Sequence, residues 1–212
     1  MEFSTVVRRR HMVRRYTAGR PVPEEALQAC LQNAVRAPSA GFSQGWDFVV
    51  LVDEADRERF WAATTDVDDA DDTDDAGKPT GWLTGVRAAP VLVVCCSDKE
   101  TYLDRYAAPD KGWTDRDEAR WPVAYWDIDT GMAALLILLT AVDEGLGGLF
   151  FGVPPECHDD VHETFGIPRD RSIIGVVALG YEEPGPKSRS LRRGRRGVDE
   201  VTHWGRFGGE GS

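Results

Sequence analysis

Hydrophobic and polar positions along the chain keep switching between two periods. Leu27, Leu31, Ala34 and Val35 recur at helical spacing. Pro21-Val-Pro-Glu-Glu25 opens that run, with proline near the first turn and two acids at the positive end of the helix dipole. Pro38 stops it. Asp47-Phe-Val-Val-Leu-Val-Asp53 then reads as a buried strand by its β-branched content, and Asp53 is placed to cap a short helix carrying Phe60 and Trp61. Pro90-Val-Leu-Val-Val-Cys-Cys96 is a second buried strand. Thr130 to Glu144 is a helix apolar almost all round, which predicts a central element packed against another subunit. Pro154 and Pro155 open a further helix, and Ser172 to Tyr181 is a third strand. No internal repeat is visible. The pattern is an ordered alternation of helix and strand.

Two excursions interrupt it. Around 64–82, the stretch Asp66 to Asp75 packs seven aspartates into ten residues. It lacks the glycine at the sixth position of a calcium-binding loop and reads as a solvated loop. The second excursion, about 98–127, carries Tyr102, Tyr106, Trp113, Trp121, Tyr125 and Trp126 among many charges. Aromatics placed this way form either a local core or a wall over a planar substrate.

The 212 residues, 42% of them hydrophobic, suffice for one sizeable core, so a single domain over 1–212 is expected. The longest apolar run, Met132 to Val142, falls short of the roughly 18 residues of a membrane span, and no membrane association is expected. The arginine-rich start lacks an apolar run followed by a small-residue cleavage site, so no secretory signal is expected. Cys30, Cys95, Cys96 and Cys157 form no Cys-x-x-Cys pair; they read as reduced thiols of a cytoplasmic protein.

The net charge of −11 is unevenly distributed. Arg8, Arg9, Arg10, Arg14, Arg15 and Arg20 near the start, with Lys187, Arg189, Arg192, Arg193, Arg195 and Arg196 near the end, make up 12 of the 25 basic residues. Such clustering calls for an anion. The acidic remainder would repel a long polyanion, so a small phosphate ligand fits better than nucleic acid. Two solvated basic tails are the plain alternative.

Between the first helix and the first strand lies Ala37-Pro-Ser-Ala-Gly-Phe-Ser-Gln-Gly-Trp46. Turn formers at this density reverse the chain, and they predict spare backbone N–H groups with little side-chain bulk. Such a loop can hold a flat or anionic ligand.

Taken in order, five segments resemble the FMN-dependent nitroreductase family. Arg10-His-Met-Val-Arg-Arg-Tyr16 with Pro21-Val-Pro-Glu-Glu25 resembles its opening signature. Ala37 to Trp46 resembles its Ala-Pro-Ser…Asn-x-Gln-Pro-Trp loop, and Gly145-Leu-Gly-Gly-Leu-Phe-Phe-Gly152 its Gly-Leu-Gly-Thr-x-Trp-x-Gly segment. Ala178-Leu-Gly-Tyr181 and Ser190-Leu-Arg-Arg-Gly-Arg-Arg196 complete the order.

The resemblance implies an α+β fold: a mainly antiparallel central sheet flanked by helices, a long central helix at a homodimer interface, and flavins lying in that interface. It implies FMN as cofactor and NADH or NADPH as electron donor. Cofactor contacts carry over to Arg10, His11, Met12, Arg14, Pro38, Ser39, Ala40, Phe42, Gln44, Phe150, Phe151, Gly152, Arg195 and Arg196. Arginines suit the phosphate because guanidinium gives paired, charge-assisted hydrogen bonds to its oxygens. Arg14 is the candidate for charge at flavin N1, and the Phe151-Gly152 segment for a backbone N–H toward N5. The implied activity is NAD(P)H-driven, ping-pong hydride transfer through N5 to quinones or nitroaromatics. Phe42, Trp113, Trp121 and Tyr125 are the candidate contacts for a small planar aromatic substrate. A flavin-dependent dehydrogenase or oxidase of a biosynthetic intermediate is the alternative, and so is a flavin-binding protein without turnover.

Three positions depart from the family pattern. Phe42 stands for the usual Asn, Gly45 for the following Pro, which predicts a looser turn, and Met12 for a Ser. His158 and His162 stand four apart, a spacing zinc can use, but no second ligand cluster follows, and no metal is expected.

Overall fold

The computed structural model describes residues 1–64, 82–185 and 193–209. Four strands, β1 (Trp46–Leu51), β2 (Val91–Asp98), β3 (Gly147–Phe151) and β4 (Arg171–Gly180), form one sheet in the order β1-β2-β4-β3. Every neighbouring pair is antiparallel. The run Asp66–Asp75 and the basic positions Lys187, Arg189 and Arg192 lie outside the described residues.

All eight residues of β2 are buried, which demands cover on both faces. Val91, Val93 and Cys95 belong to a core shared with α2 (Glu24–Ala34) and α6 (Tyr125–Asp143). Leu92, Val94 and Cys96 belong to the opposite core, shared with α3 (Glu54–Ala63) and α7 (His158–Phe165). The strand's period of two therefore divides its side chains between two helical layers. Helix α4 (Trp82–Arg87) adds Val86 to the second core, and α5 (Lys99–Ala107) follows β2.

Helix α6 begins five residues earlier than the apolar pattern predicts, at Tyr125 in place of Thr130. By length and composition it could cross a membrane, but more than half of it is buried in this fold. Its polar interior residues are satisfied locally: Thr130 Oγ1 donates to Trp126 O at 2.8 Å, and Thr140 Oγ1 to Leu136 O at 2.8 Å while accepting from Asn33 Nδ2. Asp53 does stand at the start of α3. Its backbone carbonyl, not its carboxylate, accepts the amides of Asp56 and Arg57, so the predicted side-chain cap is absent.

Besides the short helices α4 and α5, two elements escape the hydrophobic pattern in the body of the sheet and at its border. One is β3, where two glycines ahead of Leu149 and two phenylalanines mask the strand. The other is α1 (Phe3–Arg9), whose single buried residue is Val6. Beyond α1 the chain lies along β3. The Val13 N–H donates to Gly148 O at 3.0 Å, and Met12 bridges Gly148 in parallel. The Tyr16 hydroxyl, fully buried, donates to Ala178 O at 3.0 Å. Residues 10–17 are thus sheet cover, not a solvated tail.

That cover needs close approach. A Cβ built at Gly147 would stand 2.7 Å from Val13 Cγ2, and valine has no slack rotamer to yield. Gly147→Ala should destabilise by about 1–3 kcal/mol through overpacking. In calorimetry a chain of this size should show about 2–4 °C of lost melting temperature per kcal/mol. Adding Val13→Ala should recover part of the loss; additive losses in the double variant would show that the two sites do not touch.

Candidate functional site

The loop Pro38–Gly45 joins α2 to β1 through one short 3-10 turn, Ala40–Phe42. Gly41, Phe42 and Gln44 all adopt left-handed backbone conformations, with φ of 62°, 58° and 56°. For the two non-glycine residues this costs on the order of 1–2 kcal/mol each. The loop's hydrogen bonds narrow the expectation of spare donors. Phe42 N–H donates to Ser39 O, Ser43 N–H to Ala40 O, and Trp46 N–H to Gln44 O. The Gln44 N–H donates to Ser39 Oγ at 3.0 Å, and the Ala40 N–H to Asp129 Oδ2 at 2.8 Å. A loop this tightly curved satisfies most of its own backbone. What it presents outward is Phe42, 76% exposed, with Pro38 and Gln44 beside it.

Gly45 is not loose either. A Cβ there would stand 2.6 Å from Tyr102 Cε2 and 2.7 Å from Asp98 O, so the space of a side chain is already filled. Its carbonyl accepts the Asp98 N–H at 3.0 Å. Asp98 and Asp47 both pair with Arg171 at 3.0 Å, tying β1, β2 and β4 together at the end of the sheet where the loop enters.

The aromatic excursion backs this loop. Trp121 meets five rings, those of Tyr102, Tyr106, Trp113, Tyr125 and Trp126, at centroid distances of 4.6–6.0 Å. Tyr102 and Trp126 are buried core. Tyr106 lies against Gly41, whose Cβ would approach its ring to 2.7 Å, and Arg105 Nε donates to Gly41 O at 3.1 Å. Of the substrate candidates, Trp121 sits inside the cluster, Trp113 is half-buried and Tyr125 is exposed at the start of α6.

The N-terminal motif lies along β3. Arg10 and Arg14 are half-buried, and among the described residues neither has a carboxylate partner; the neighbouring Arg15 pairs with Glu183 at 3.6 Å. His11 is exposed, with Nδ1 2.9 Å from Arg9 O and Nε2 2.9 Å from Glu182 Oε1. The Arg9 carbonyl first, then the Glu182 carboxylate, raise its pKa above the ordinary imidazole value. Met12 is half-buried beside Gly148 and contacts both cores.

At the far end of β3, Phe151 stacks on Trp61 at 5.9 Å in one core, Phe150 packs with the other, and Gly152 is exposed. Arg195 and Arg196 stand on the exposed C-terminal segment just before α8 (Val198–Val201). There Arg196 Nη2 donates to Glu200 O at 2.7 Å, and no contact among the described residues joins the pair to Arg10 or Arg14. His158 Nε2 lies 3.2 Å from Val153 O and buried His162 Nδ1 3.0 Å from Ile167 O, so each ring faces its own carbonyl. No cluster of three His, Cys, Asp or Glu able to hold a metal occurs among the described residues.

Sequence reasoning missed Asp129 and the role of Tyr102 beneath the loop. The signal was a pair of acids, Asp127 and Asp129, at the head of an apolar helix, the second one residue before the predicted start.

Comparison with known proteins identifies the family and the fold. The model of the nitroreductase family matches residues 7–181. An NADH dehydrogenase of Thermus thermophilus is 30% identical over 210 residues, covering 89% of this chain and 92% of the relative. A 4-nitrobenzoate reductase of a Nocardioides species is 30% identical over 203 residues, covering 85% and 81%. Among solved structures, an FMN-dependent nitroreductase of Clostridium difficile superposes with a TM-score of 0.66 at 20% identity, covering 95% of this chain and 98% of the other. That likeness carries the α+β fold. With the family model spanning most of the chain and relatives at 30% identity along nearly all of it, this protein belongs to the nitroreductase family and is an oxidoreductase.

Proposed function

We propose that this chain is a single FMN-binding domain acting as an NAD(P)H-driven oxidoreductase on quinones or nitroaromatics. The observation that carries the reading is Arg10 and Arg14: two half-buried guanidiniums, without carboxylate partners among the described residues, on a segment hydrogen-bonded to β3. Cations held this way suit a phosphate, to which guanidinium donates in pairs. When bound, FMN would supply hydride transfer between a reduced nicotinamide and the oxidant. Arg10, with His11, would hold the phosphate, and Arg14 would balance negative charge at the flavin ring. The surface of the Pro38–Gln44 loop would line the ring, and the end of β3 around Phe150–Gly152 would offer a backbone donor. Met12 packs where the family's hydroxyl would stand.

The loop is tied to α6 at Asp129, and α1, which leads into Arg10, is tied to the end of the same helix by the amino terminus on Asp143. Both segments thus border α6, and a homodimer through that helix would place its flavins in the interface. Tyr125, Ile128, Met132 and Leu135 form an exposed stripe on α6, and Val198, Val201, Trp204 and Phe207 are exposed on the C-terminal segment. Such faces seek a second copy, and closing over it would bring Arg195 and Arg196 to the site. Four buried free cysteines favour a cytoplasmic setting.

The purified protein should be yellow or take up added FMN and elute with the mass of two chains in light scattering. NADH or NADPH should bleach it without oxygen, and menadione should restore the colour. A colourless protein that takes up no FMN would overturn the reading.

Phe42 is the substrate-facing candidate. Its exposure rules out a core-filling role within the chain, and a ring there should favour flat oxidants by about 0.5–1.5 kcal/mol. Phe42→Asn should therefore narrow the kcat/KM preference for menadione over a small hydrophilic nitro compound roughly 2- to 13-fold. Melting temperature should hold, since Asn accepts the left-handed backbone more readily than Phe. An unchanged preference would remove Phe42 from the site.

The His11–Glu182 pair sets a pH dependence. Because the folded pKa of His11 is raised, its imidazolium persists to higher pH; its contribution to stability and to anion binding is full below the unfolded value and lost as pH rises through the folded one. NMR titration should place the His11 midpoint above 6.5, and Glu182→Gln should lower it. In that variant FMN affinity should fall away at lower pH than in the parent protein. Identical midpoints in the two proteins would show that Glu182 has no such role.

A further inference from the structure

Asp129 stands out among the groups not yet given a task. It is 3% exposed, and one oxygen, Oδ2, accepts two donors: the Ala40 N–H at 2.8 Å and the Tyr102 hydroxyl at 2.8 Å. We infer that Asp129 is a positioning residue: with Tyr102 it clamps the Pro38–Gly45 loop from beneath and so fixes the surface on which Phe42 and Gln44 meet the cofactor. The inference rests on reading that loop as the flavin cradle.

The physical need is plain. Two non-glycine residues in left-handed conformations persist only where the surroundings over-determine them. Within the loop, the Ser39 hydroxyl and a few backbone bonds help, but both ends of the turn are set from outside. At one end the buried carboxylate receives the Ala40 amide, a charge-assisted bond stronger than a neutral one. At the other the Tyr102 ring fills the side-chain space of Gly45, and the Thr130 hydroxyl reaches Gly45 O at 3.4 Å. Arg105 holds the middle through Gly41 O and is itself fixed by Asp110 with two bonds of 2.7 Å. Burial keeps the Tyr102 phenol protonated, so it remains a donor to the carboxylate. Helix α6 carries the arrangement as a rigid unit, since Ser97 Oγ also donates to Asp127 Oδ1 at 2.5 Å and moors its first turn to β2.

A buried carboxylate that served stability alone would be an expensive choice, because apolar packing does that task without desolvation. The alternative to positioning is nonetheless structural, and the test separates the two. Amide hydrogen exchange over residues 39–46 is measured without flavin, FMN affinity by fluorescence titration, and folding by thermal melt. Asp129→Ala should speed exchange locally and weaken FMN on the order of 10-fold or more. Asp129→Asn, whose amide oxygen can accept the same two donors, should recover most of both. Tyr102→Phe keeps the ring against Gly45 and deletes one donor; it should give a smaller loss of the same kind, and it carries the test if Asp129→Ala does not fold. Unchanged local exchange in Asp129→Ala would overturn the clamp. Faster exchange with unchanged FMN affinity would overturn positioning and leave a structural bond. A parent protein that binds no FMN would bring down the flavin reading itself, while the exchange rates would still report on the clamp.

Discussion

Burial of β2 on both faces is the constraint from which most of this architecture follows. A strand with no solvent-facing side chain needs a helical layer above and another below, and its two alternating sets of residues join two separate cores. The helices that supply those layers leave the two segments proposed to meet the cofactor at the margins. The Pro38–Gly45 loop enters at the end of the sheet, where β1 begins, and the Arg10–Arg14 segment lies along the outer side of β3. Interior packing is thus handled by the sheet and its helices, and the loop and the arginine segment are left free to border them.

The border is firmly made. At the loop's end of the sheet, Arg171 gathers Asp47 and Asp98 from two other strands, and Asp98 also caps α5 by accepting from the Thr101 amide. Helix α5 in turn carries Tyr102, Arg105 and Tyr106, each of which touches the loop. A turn rich in small residues is therefore held by partners distant in sequence, which supply the rigidity that its own composition lacks. The same partners explain why glycine stands at position 45: the neighbouring ring occupies the room any larger residue would need.

Much of this was legible in the residues, for identifiable reasons. Strands β1, β2 and β4 carry runs of β-branched side chains that hold their meaning without context, and α2 shows its apolar face at helical spacing. The order of five short segments was enough to indicate the family, and with it the antiparallel sheet. Strand β3 was hidden because its glycines exist for close packing against Val13 and Leu138 and carry no strand preference of their own. Helix α1 was hidden because it buries only Val6. The loop's density of turn formers suggested open donors, whereas the loop turns several of them onto its own oxygens and one, the Ala40 N–H, onto the distant Asp129. Partners separated by 89 residues leave no trace in local pattern.

The pairing of residues 12 and 13 with β3 has a second consequence. An outer strand with free amides and carbonyls is a template for unwanted pairing with other chains. Here the segment bearing the arginines covers part of that strand, contributing the Val13–Gly148 hydrogen bond and placing charged side chains on either side. The segment proposed to bind the anion is thereby also a protection against aggregation, so a truncation that removed it would strip the colloidal safeguard of the sheet.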